Sequence, residues 1–494
     1  MAFAIILIGQ KNEVKTMSNA LSNISISSAS TGLSKYVTNQ WLGIHARSCG
    51  FIQRRGNLNP VKFVSALITA VGTPQKRDTI QAMVTEYNCQ ATKGEQICYK
   101  PLHNRLHREE CVTFMATLVG RLQERVFTCS RRADADQLLE RLQDNGIFID
   151  DIYLHDGTYW KINENFAGKY PATRSAKKAE LIEDTYEPDG SPAMKEAKFA
   201  QMGLQTTFSM KTGTITKICV TSATANETEY VRHGNGKRIL HFMDAGYGSF
   251  SLLKQMDERG DHFITKLKSN SAAVIETATI DGSDFTDLFK GKKLTCKEFR
   301  TFRIKDHVDL TVNLSDGSHY RVIRFYSKKE HQARNFVTNL FAKEISPKTI
   351  CSLYKIRWQI ELLFKELKSG SNLTGVNTRV ENIMLVMLFA SLAAHFLKQL
   401  VAGDVTTLNG CRSSLYRLSV YSSTWLRNYI KAVFSGDLQT IKQIIKKLAD
   451  AKSCFEQVKQ SHLKHEAMKT LTSVYCYLFK SLDTKGFKKT TIEA

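Results

Sequence analysis

Apolar positions change their spacing three times along the chain. From Asn59 to about Val126 they recur every three or four residues, the period of one helix face. "NPVKFVSALITAV" offers Asn59 as an N-cap and Pro60 at the first helical position. "RDTIQAMVTEY" sets Ile80, Met83, Val84 and Tyr87 on one stripe, and "EECVTFMATLVGRLQERV" does the same with Val112, Met115, Leu118, Val119 and Leu122. Near Gly146 the spacing shortens to two. "GIFIDDIYLHDGTYWKI" predicts a β-strand that runs into a tight turn at Asp156-Gly157-Thr158. "TITKICVTSA", "RILHFM" and "DHFITKLKSN" predict further strands, and "FSLLKQMDERG" a short helix. Residues 270–340 alternate most strongly, which predicts an antiparallel β segment. Helical spacing returns with "YKIRWQIELLFKELKSG" (Tyr354–Gly370) and persists to about Phe479.

This order predicts helical ends around an α/β centre. Its expected units are a helical N-terminal domain at 1–135, an α/β core at 136–265 and 336–400, a β-strand insertion at 266–335, and a helical basic region at 401–494. Residues 1–40, Ser/Asn-rich, are expected to be loose. "IMLVMLFASLAAHFL" (Ile383–Leu397) falls short of the roughly 20 residues a membrane span needs, so it predicts a buried core helix. "MAFAIILIG" lacks the basic start of a signal peptide, and Met17 offers an alternative start of translation. A cytoplasmic protein with no membrane partner is expected.

At 494 residues the chain outgrows a single core, and its 42% hydrophobic content excludes general disorder. Charge adds direction. The net charge is +22, and it is concentrated at the ends: residues 1–135 hold 17 basic and 8 acidic side chains, and residues 401–494 hold 15 and 7. A nearly balanced centre between two basic ends fits a polyanion gripped by flanking domains, although a ribosomal or membrane-surface protein shares such charge. Eleven scattered cysteines, with no C-x-x-C pair, exclude a zinc ribbon or a disulfide scaffold and predict buried free thiols. No Walker-type loop and no H-E-x-x-H occur, and His103 and His107 lack an acidic partner. The short basic stretch "ICYKPLHNRLHRE" has two readings. It is the recognition helix of a helix-turn-helix, offering Lys100, His103, Asn104 and Arg105 to DNA, or an ordinary solvated helix.

The stretch from Tyr354 to Gly370 carries the candidate chemistry. At roughly 100° per residue, Tyr354, Arg357, Glu361, Lys365 and Lys368 share one narrow face beside the arc of Ile356, Ile360, Leu363, Phe364 and Leu367. Arg357 and Glu361 also suit a plain surface ion pair, worth a few tenths of a kcal/mol. Two aspartates give the stronger reading weight. Asp156 ends a predicted strand, and Asp244 ends "RILHFM" before the turn "AGYGS". Asp150 and Asp151 rival Asp156, but they stand at the strand's start. Two strand-end aspartates and a helix glutamate are the oxygen donors that two-metal phosphoryl transfer requires.

These residues resemble a family. Tyr354-x2-Arg357-x3-Glu361-x6-Lys368 matches the YREK signature of DDE transposases of bacterial insertion sequences, in particular the insertion sequence four family. "TNLFAKEISPKTICSLYKIRWQIELLFKELKSGSNL" looks like that family's third block, and "DGT" at Asp156 and "MDAGYGSFSLLKQM" at Asp244 like the first two. The resemblance implies a ribonuclease-H-like α/β core interrupted by a β-rich insertion. Asp156, Asp244 and Glu361 would bind two Mg²⁺ ions, with Mn²⁺ able to substitute. The implied activity is cut-and-paste transposition: the protein binds double-stranded terminal inverted repeats, cleaves at the ends and joins the 3′ ends to target DNA. As is typical of the family, the second strand would be released through a hairpin, and a homodimer, formed through the C-terminal helices, would synapse the ends. Tyr354, Arg357, Lys368 and Lys365 would then contact DNA phosphates. Trp358 would stack on a base or, more simply, pack in the core. The family commonly has Arg after the second aspartate, where this chain has Ala245; Lys266 and Lys268 on the next strand are candidates to supply that charge. A decayed binding protein that only occupies element ends, and a structure-specific nuclease of the same fold, are the alternatives.

Overall fold

The computed structural model describes residues 29–454, apart from short segments at 55, 57, 75–78, 174–179, 187–191, 196–199, 268–270, 272, 302–306, 315–316, 328–331, 342–344, 376–377 and 411–412. Met17, Lys268 and the helical pattern beyond residue 454 lie outside the described residues. The N-terminal part is helical: α1 (Ala29–Tyr36), α2 (Asn39–Ser48), α3 (Pro60–Val71), α4 (Thr79–Asn88), α5 (Tyr99–Leu106), α6 (Glu109–Cys129) and α7 (Ala133–Asp144). Asn59 caps α3 as its sequence predicts, Oδ1 accepting from the N–H groups of Val61 and Lys62 at 2.9 and 3.2 Å. The expectation of a loose segment to residue 40 fails at α1, whose first two N–H groups are capped by the Asp404 carboxylate at 3.0 Å each.

The strands are β1 (Asp151–Ile162), β2 (Glu180–Tyr186), β3 (Pro192–Lys195), β4 (Ala200–Ser209), β5 (Thr214–Ser222), β6 (Ile239–Met243), β7 (His262–Lys266), β8 (Val274–Ile280), β9 (Ser283–Asp284), β10 (His307–Asn313), β11 (His319–Ser327) and β12 (Gln332–Thr338). All but the β2–β3 hairpin form one sheet in the order β5-β4-β1-β6-β7-β12-β11-β10-β8-β9. β1, β6 and β7 are mutually parallel, and β1 pairs antiparallel with β4. The strands of 274–338 are antiparallel, as predicted. They continue the core sheet through the β12–β7 pairing instead of standing apart. Helices α8 (Phe250–Glu258), α9 (Thr286–Phe289) and α10 (Lys297–Thr301) lie among these strands.

Asp156 does not begin a turn. β1 runs through it to Ile162, with Asp156, Gly157 and Thr158 opposite Thr206, Gln205 and Leu204. Gly157 serves close approach there: a Cβ would meet Gln205 Oε1 at 2.6 Å and Tyr159 Oη at 2.8 Å. Composition marked the dipeptide as a turn, and cross-strand crowding accounts for its glycine.

Side-chain alternation divides the sheet between two cores. Ile152, Leu154, Leu240, Phe242, Ile264, Ile323 and Phe336 join the large core beneath the helices. Met243, Phe263, Tyr320, Val322 and Val337 face a second core on the opposite side. Burial on both faces explains why β6, "ILHFM", reads as continuous rather than alternating.

The C-terminal helices are α11 (Pro347–Tyr354), α12 (Trp358–Ser369), α13 (Glu381–Asn409), α14 (Leu415–Val420), α15 (Ser422–Ser435) and α16 (Leu438–Asp450). α13 outgrows its predicted apolar run. At 29 residues it is long and apolar enough to cross a membrane, but 83% of its most apolar window is buried inside the protein. A helix apolar on every side belongs in a core. N- and C-terminal helices share that core, and Tyr429 on α15 donates to Ser30 Oγ on α1 at 2.8 Å. The predicted thiol burial holds for Cys111 and Cys454, whereas Cys89 and Cys98 are exposed.

Inward-facing polar groups of α13 are tied to neighbours. Lys398 Nζ donates to the carbonyls of Gly72 and Gly370 at 2.6 Å each. His395 Nδ1 pairs with Glu366 of α12, whose other oxygen accepts from Ser419 and Ser371 at 2.8 and 3.0 Å. Burial opposes ionisation of Glu366, but His395, Lys398 and Ser419 outweigh it and pull the carboxyl from 4.5 down to about 2. A depressed carboxyl stabilises the fold above its unfolded pKa, and that stability fades as pH falls from about 4.5 toward 2. Glu366→Gln leaves the buried Lys398 ammonium without its countercharge and should cost about 3 kcal/mol at pH 7, read from the urea midpoint. The difference from wild type should shrink in acid.

Candidate active site

Three elements converge at the C-terminal edge of the parallel strands. Asp156 shares its face of β1 with Ile152 and Leu154, the side covered by helices. Its Oδ1 accepts from the Gly157 N–H at 2.9 Å, and its Oδ2 accepts from Arg357 Nη1 at 2.7 Å. Asp244 follows the last residue of β6, where Oδ1 accepts from the Ala245 N–H at 2.8 Å and meets Lys266 Nζ at 3.0 Å. Its carbonyl also accepts from the Thr265 hydroxyl at 3.1 Å. Glu361 stands in the first turn of α12, where a helix favours a carboxylate, and its Oε1 accepts from Arg357 Nη2. One guanidinium therefore forks between Asp156 and Glu361.

The electrostatics follow from this crowding. Burial pushes the Asp156 carboxyl up to about 6, Arg357 and the Gly157 N–H restrain it, and the charges of Asp244 and Glu227 add to the rise. Asp244 is also partly buried, yet the Lys266 and Ala245 donors hold it below the usual carboxylate range. Burial works against the charge of Arg357, but Tyr354 and the carboxylates of Asp156, Asp244 and Glu361 keep it firmly protonated. An oxygen-only donor set of three carboxylates suits a hard divalent cation.

The expected phosphate-binding face is not a uniform stripe. A 3-10 turn over Lys355–Arg357 separates α11 from α12, so the predicted single helix is two. Tyr354 is buried; its hydroxyl donates to the Met243 carbonyl at 3.0 Å and its ring lies 4.3 Å from that of Phe336. It fixes the end of β6, next to Asp244, and offers no exposed surface to DNA. Lys368 Nζ donates to the Tyr159 carbonyl at 3.2 Å, whereas Lys365 is exposed. Trp358 is 42% exposed, contrary to the simpler expectation of core packing, because it lies away from the apolar arc. On α5, Lys100 and Asn104 are exposed, while Arg105 Nη1 donates to the Phe51 carbonyl at 2.8 Å.

Glu227 is a neighbour that sequence reasoning missed. Its Oε1 accepts from the Tyr159 hydroxyl, which also accepts from Gln205 Nε2 at 2.9 Å. In "ANETEY" it reads as one acid of a solvated turn.

A family model described as a transposase DDE domain matches residues 148–397, a span that contains Asp156, Asp244, Arg357 and Glu361. This chain belongs to that family. The transposase is also similar to the transposase for insertion sequence element IS1151 of Clostridium perfringens, 23% identical over 264 residues. That match covers 45% of this chain and 50% of the relative, about half of the relative's length. A cryo-EM structure of the piggyBac transposase synaptic complex with hairpin DNA aligns over 90% of this chain and 82% of its own, at 10% identity and a TM-score of 0.39, too low to carry an argument.

The Arg357 fork restrains the rise at Asp156, so removing it has a defined sign. In Arg357→Gln, the Asp156 carboxyl should titrate above about 6. Carbon-13 carboxyl titration, assigned with Asp156→Asn, measures it; an unmoved midpoint would show that the two groups do not interact.

Proposed function

We propose that this transposase excises and inserts its own insertion sequence by a cut-and-paste route. It would belong to the insertion sequence four group with the YREK signature and be built on a ribonuclease-H-like core. The observation that supports the reading is the fork of Arg357 between Asp156 on β1 and Glu361 on α12, with Asp244 at the end of β6 near enough for its charge to raise the Asp156 carboxyl. The sheet order β5-β4-β1-β6-β7, with two antiparallel strands on one side of β1 and two parallel strands on the other, supports the core assignment.

Asp156, Asp244 and Glu361 would hold two Mg²⁺ ions, or Mn²⁺ in their place, which when bound activate an attacking oxygen and stabilise the leaving one. The chain's residues set the rest. Asp244 stays ionised at neutral pH because Lys266 and the Ala245 N–H hold its proton affinity down. Tyr354 and Thr265 fix the backbone on either side of it. Arg357 keeps Asp156 and Glu361 aligned and would turn toward a phosphate once the carboxylates have other partners. Lys365, Lys368 and Trp358 would line the approach of the DNA end. In the first step water attacks the phosphodiester at the element's end, and the 3′ oxygen leaves. That 3′ hydroxyl would then attack the opposite strand, closing a hairpin on the element's end as the flanking 3′ oxygen leaves; a second water would reopen the hairpin and regenerate the 3′ hydroxyl, which would attack a target phosphodiester as the target's 3′ oxygen leaves.

Terminal inverted repeats and target DNA would be gripped by the basic ends. On the N-terminal side α5 presents Lys100 and Asn104, which supports the recognition-helix reading. A homodimer would synapse the two ends.

Excision of a marked element bounded by its flanking ends tests the reading. At equal expression, Glu361→Gln should lower excision on the order of 10³-fold, the scale of several kcal/mol of charge stabilisation, and end binding by gel shift should persist. Equal excision would remove Glu361 from the reaction; loss of binding as well would make its role structural. End binding should also weaken at least 10²-fold between 50 and 200 mM salt, on the order expected of several phosphate contacts. A flat response would exclude phosphate-dominated binding.

A further inference from the structure

The opposite face of the same strands carries a second cluster, unused by the phosphoryl-transfer reading. Alternation sends His155 away from its neighbour Asp156, and His241 away from Phe242. The rings of His155 and His241 stack 5.1 Å apart, with His155 Nε2 2.8 Å from His241 Nδ1 and Thr207 Oγ1 3.1 Å from His155 Nδ1. Asp261, just before β7, accepts the Ile239 N–H at 2.9 Å through Oδ1 and points Oδ2 at His241 Nε2, 3.4 Å away. His233, in the loop before β6, brings its ring within 6.2 Å of that of His241. His241 and Asp261 are 0% and 2% exposed, and His233 is half-buried.

The hydrogen bonds leave this cluster open. His233 Nδ1 is buried with no hydrogen-bond partner among the described residues, and His241 Nε2 has only the long 3.4 Å approach of Asp261 Oδ2. A buried ring nitrogen without a partner is costly to desolvate, so a ligand at this point would offset that cost. One ligating atom from each of His233, His241 and Asp261 lies within 4.8 Å of the others. Zinc bonds of about 2.0–2.1 Å put tetrahedral ligands about 3.3–3.4 Å apart, and the His241–Asp261 separation of 3.4 Å already meets that.

We propose that His233, His241 and Asp261 form a transition-metal site, suited to Zn²⁺, on the sheet face opposite the three carboxylates. Two imidazoles and one carboxylate are softer donors than the oxygen-only triad, so the two sites select different metals. His155 is the supporting partner: bonded to His241 Nδ1 and to Thr207, it orients the ring and leaves Nε2 for the metal. Such a site pins the β6 and β7 strands, whose ends carry Asp244 and Lys266.

The test uses the full-length chain, stripped of metal and titrated with Co²⁺ as a visible probe under excess Mg²⁺. Wild type and Glu361→Gln should each take up a single equivalent of Co²⁺ with d–d absorption that Zn²⁺ displaces. His233→Ala should bind at least tenfold more weakly, and Zn²⁺ should raise the Tm of wild type but not of this variant. His233→Gln, which keeps side-chain volume, gives the same readout should the alanine variant fail to fold. No uptake by wild type, or uptake lost in Glu361→Gln and retained in the His233 variants, would overturn the proposal and leave an Asp261–His241 proton pair in its place.

Discussion

The arrangement of the candidate site rests on the guanidinium of Arg357. Asp156 and Arg357 are 201 residues apart in sequence, and Glu361 is one helical turn beyond the arginine. Two partly buried carboxylates on a strand and a helix would repel, and bringing them together needs a charge that cannot be lost. Arginine meets that need: it stays protonated even at 9% exposure, and its planar fork gives each carboxylate its own N–H. A lysine would offer one compact charge with no preference for two partners. The i,i+4 spacing that sequence alone allows as a surface pair therefore acts as the docking point of α12 on β1.

The helix is held at its far end by a different device. Glu366, five residues after Glu361, meets His395, Ser371 and Ser419, and Lys398 closes the group against Gly370 and Gly72. Both ends of α12 are thus fixed by polar contacts, while Ile360, Leu363, Phe364 and Leu367 fill the core between them. Apolar packing alone would permit the helix to slide by small amounts. Directional bonds at two points set its rotation and height, and with them the position of the Glu361 carboxylate.

Much of this was legible in the chain. The Asn59 cap, the stripes of α4 and α6, the alternation of residues 270–340 and the apolar run within α13 follow from local period and capping chemistry, which need no knowledge of neighbours. The sequence singled out Asp156, Asp244 and Glu361 by their positions, and the fold brings Asp156 and Glu361 to one guanidinium. What was misread depended on contacts distant in sequence. Asp156-Gly157-Thr158 has turn composition, yet its glycine answers crowding from Gln205 and Tyr159. Tyr354 carries a polar group that bonds to Met243 C=O across 111 residues. Glu227 and the histidines give no periodic signal, since their meaning comes from strands that meet only in the folded sheet.

The distribution of charge then separates two tasks. The chain carries +22 overall, but Asp156, Asp244, Glu361 and Glu227 make the candidate site locally acidic, with Arg357 and Lys266 as the cations in direct contact with the first three. Long-range attraction for a polyanion is set by net charge, and that charge is concentrated at the two ends of the chain. Ala245 sharpens the point. The resemblance leads one to expect an arginine there, and Lys266 instead delivers its charge to Asp244 from the neighbouring strand, 3.0 Å away. A cation reaching in from the next strand neutralises the aspartate without adding a base to the β6 turn. Most of the excess positive charge therefore lies in the flanking segments, 1–135 and 401–494, and the carboxylates of this face are matched by cations of its own elements.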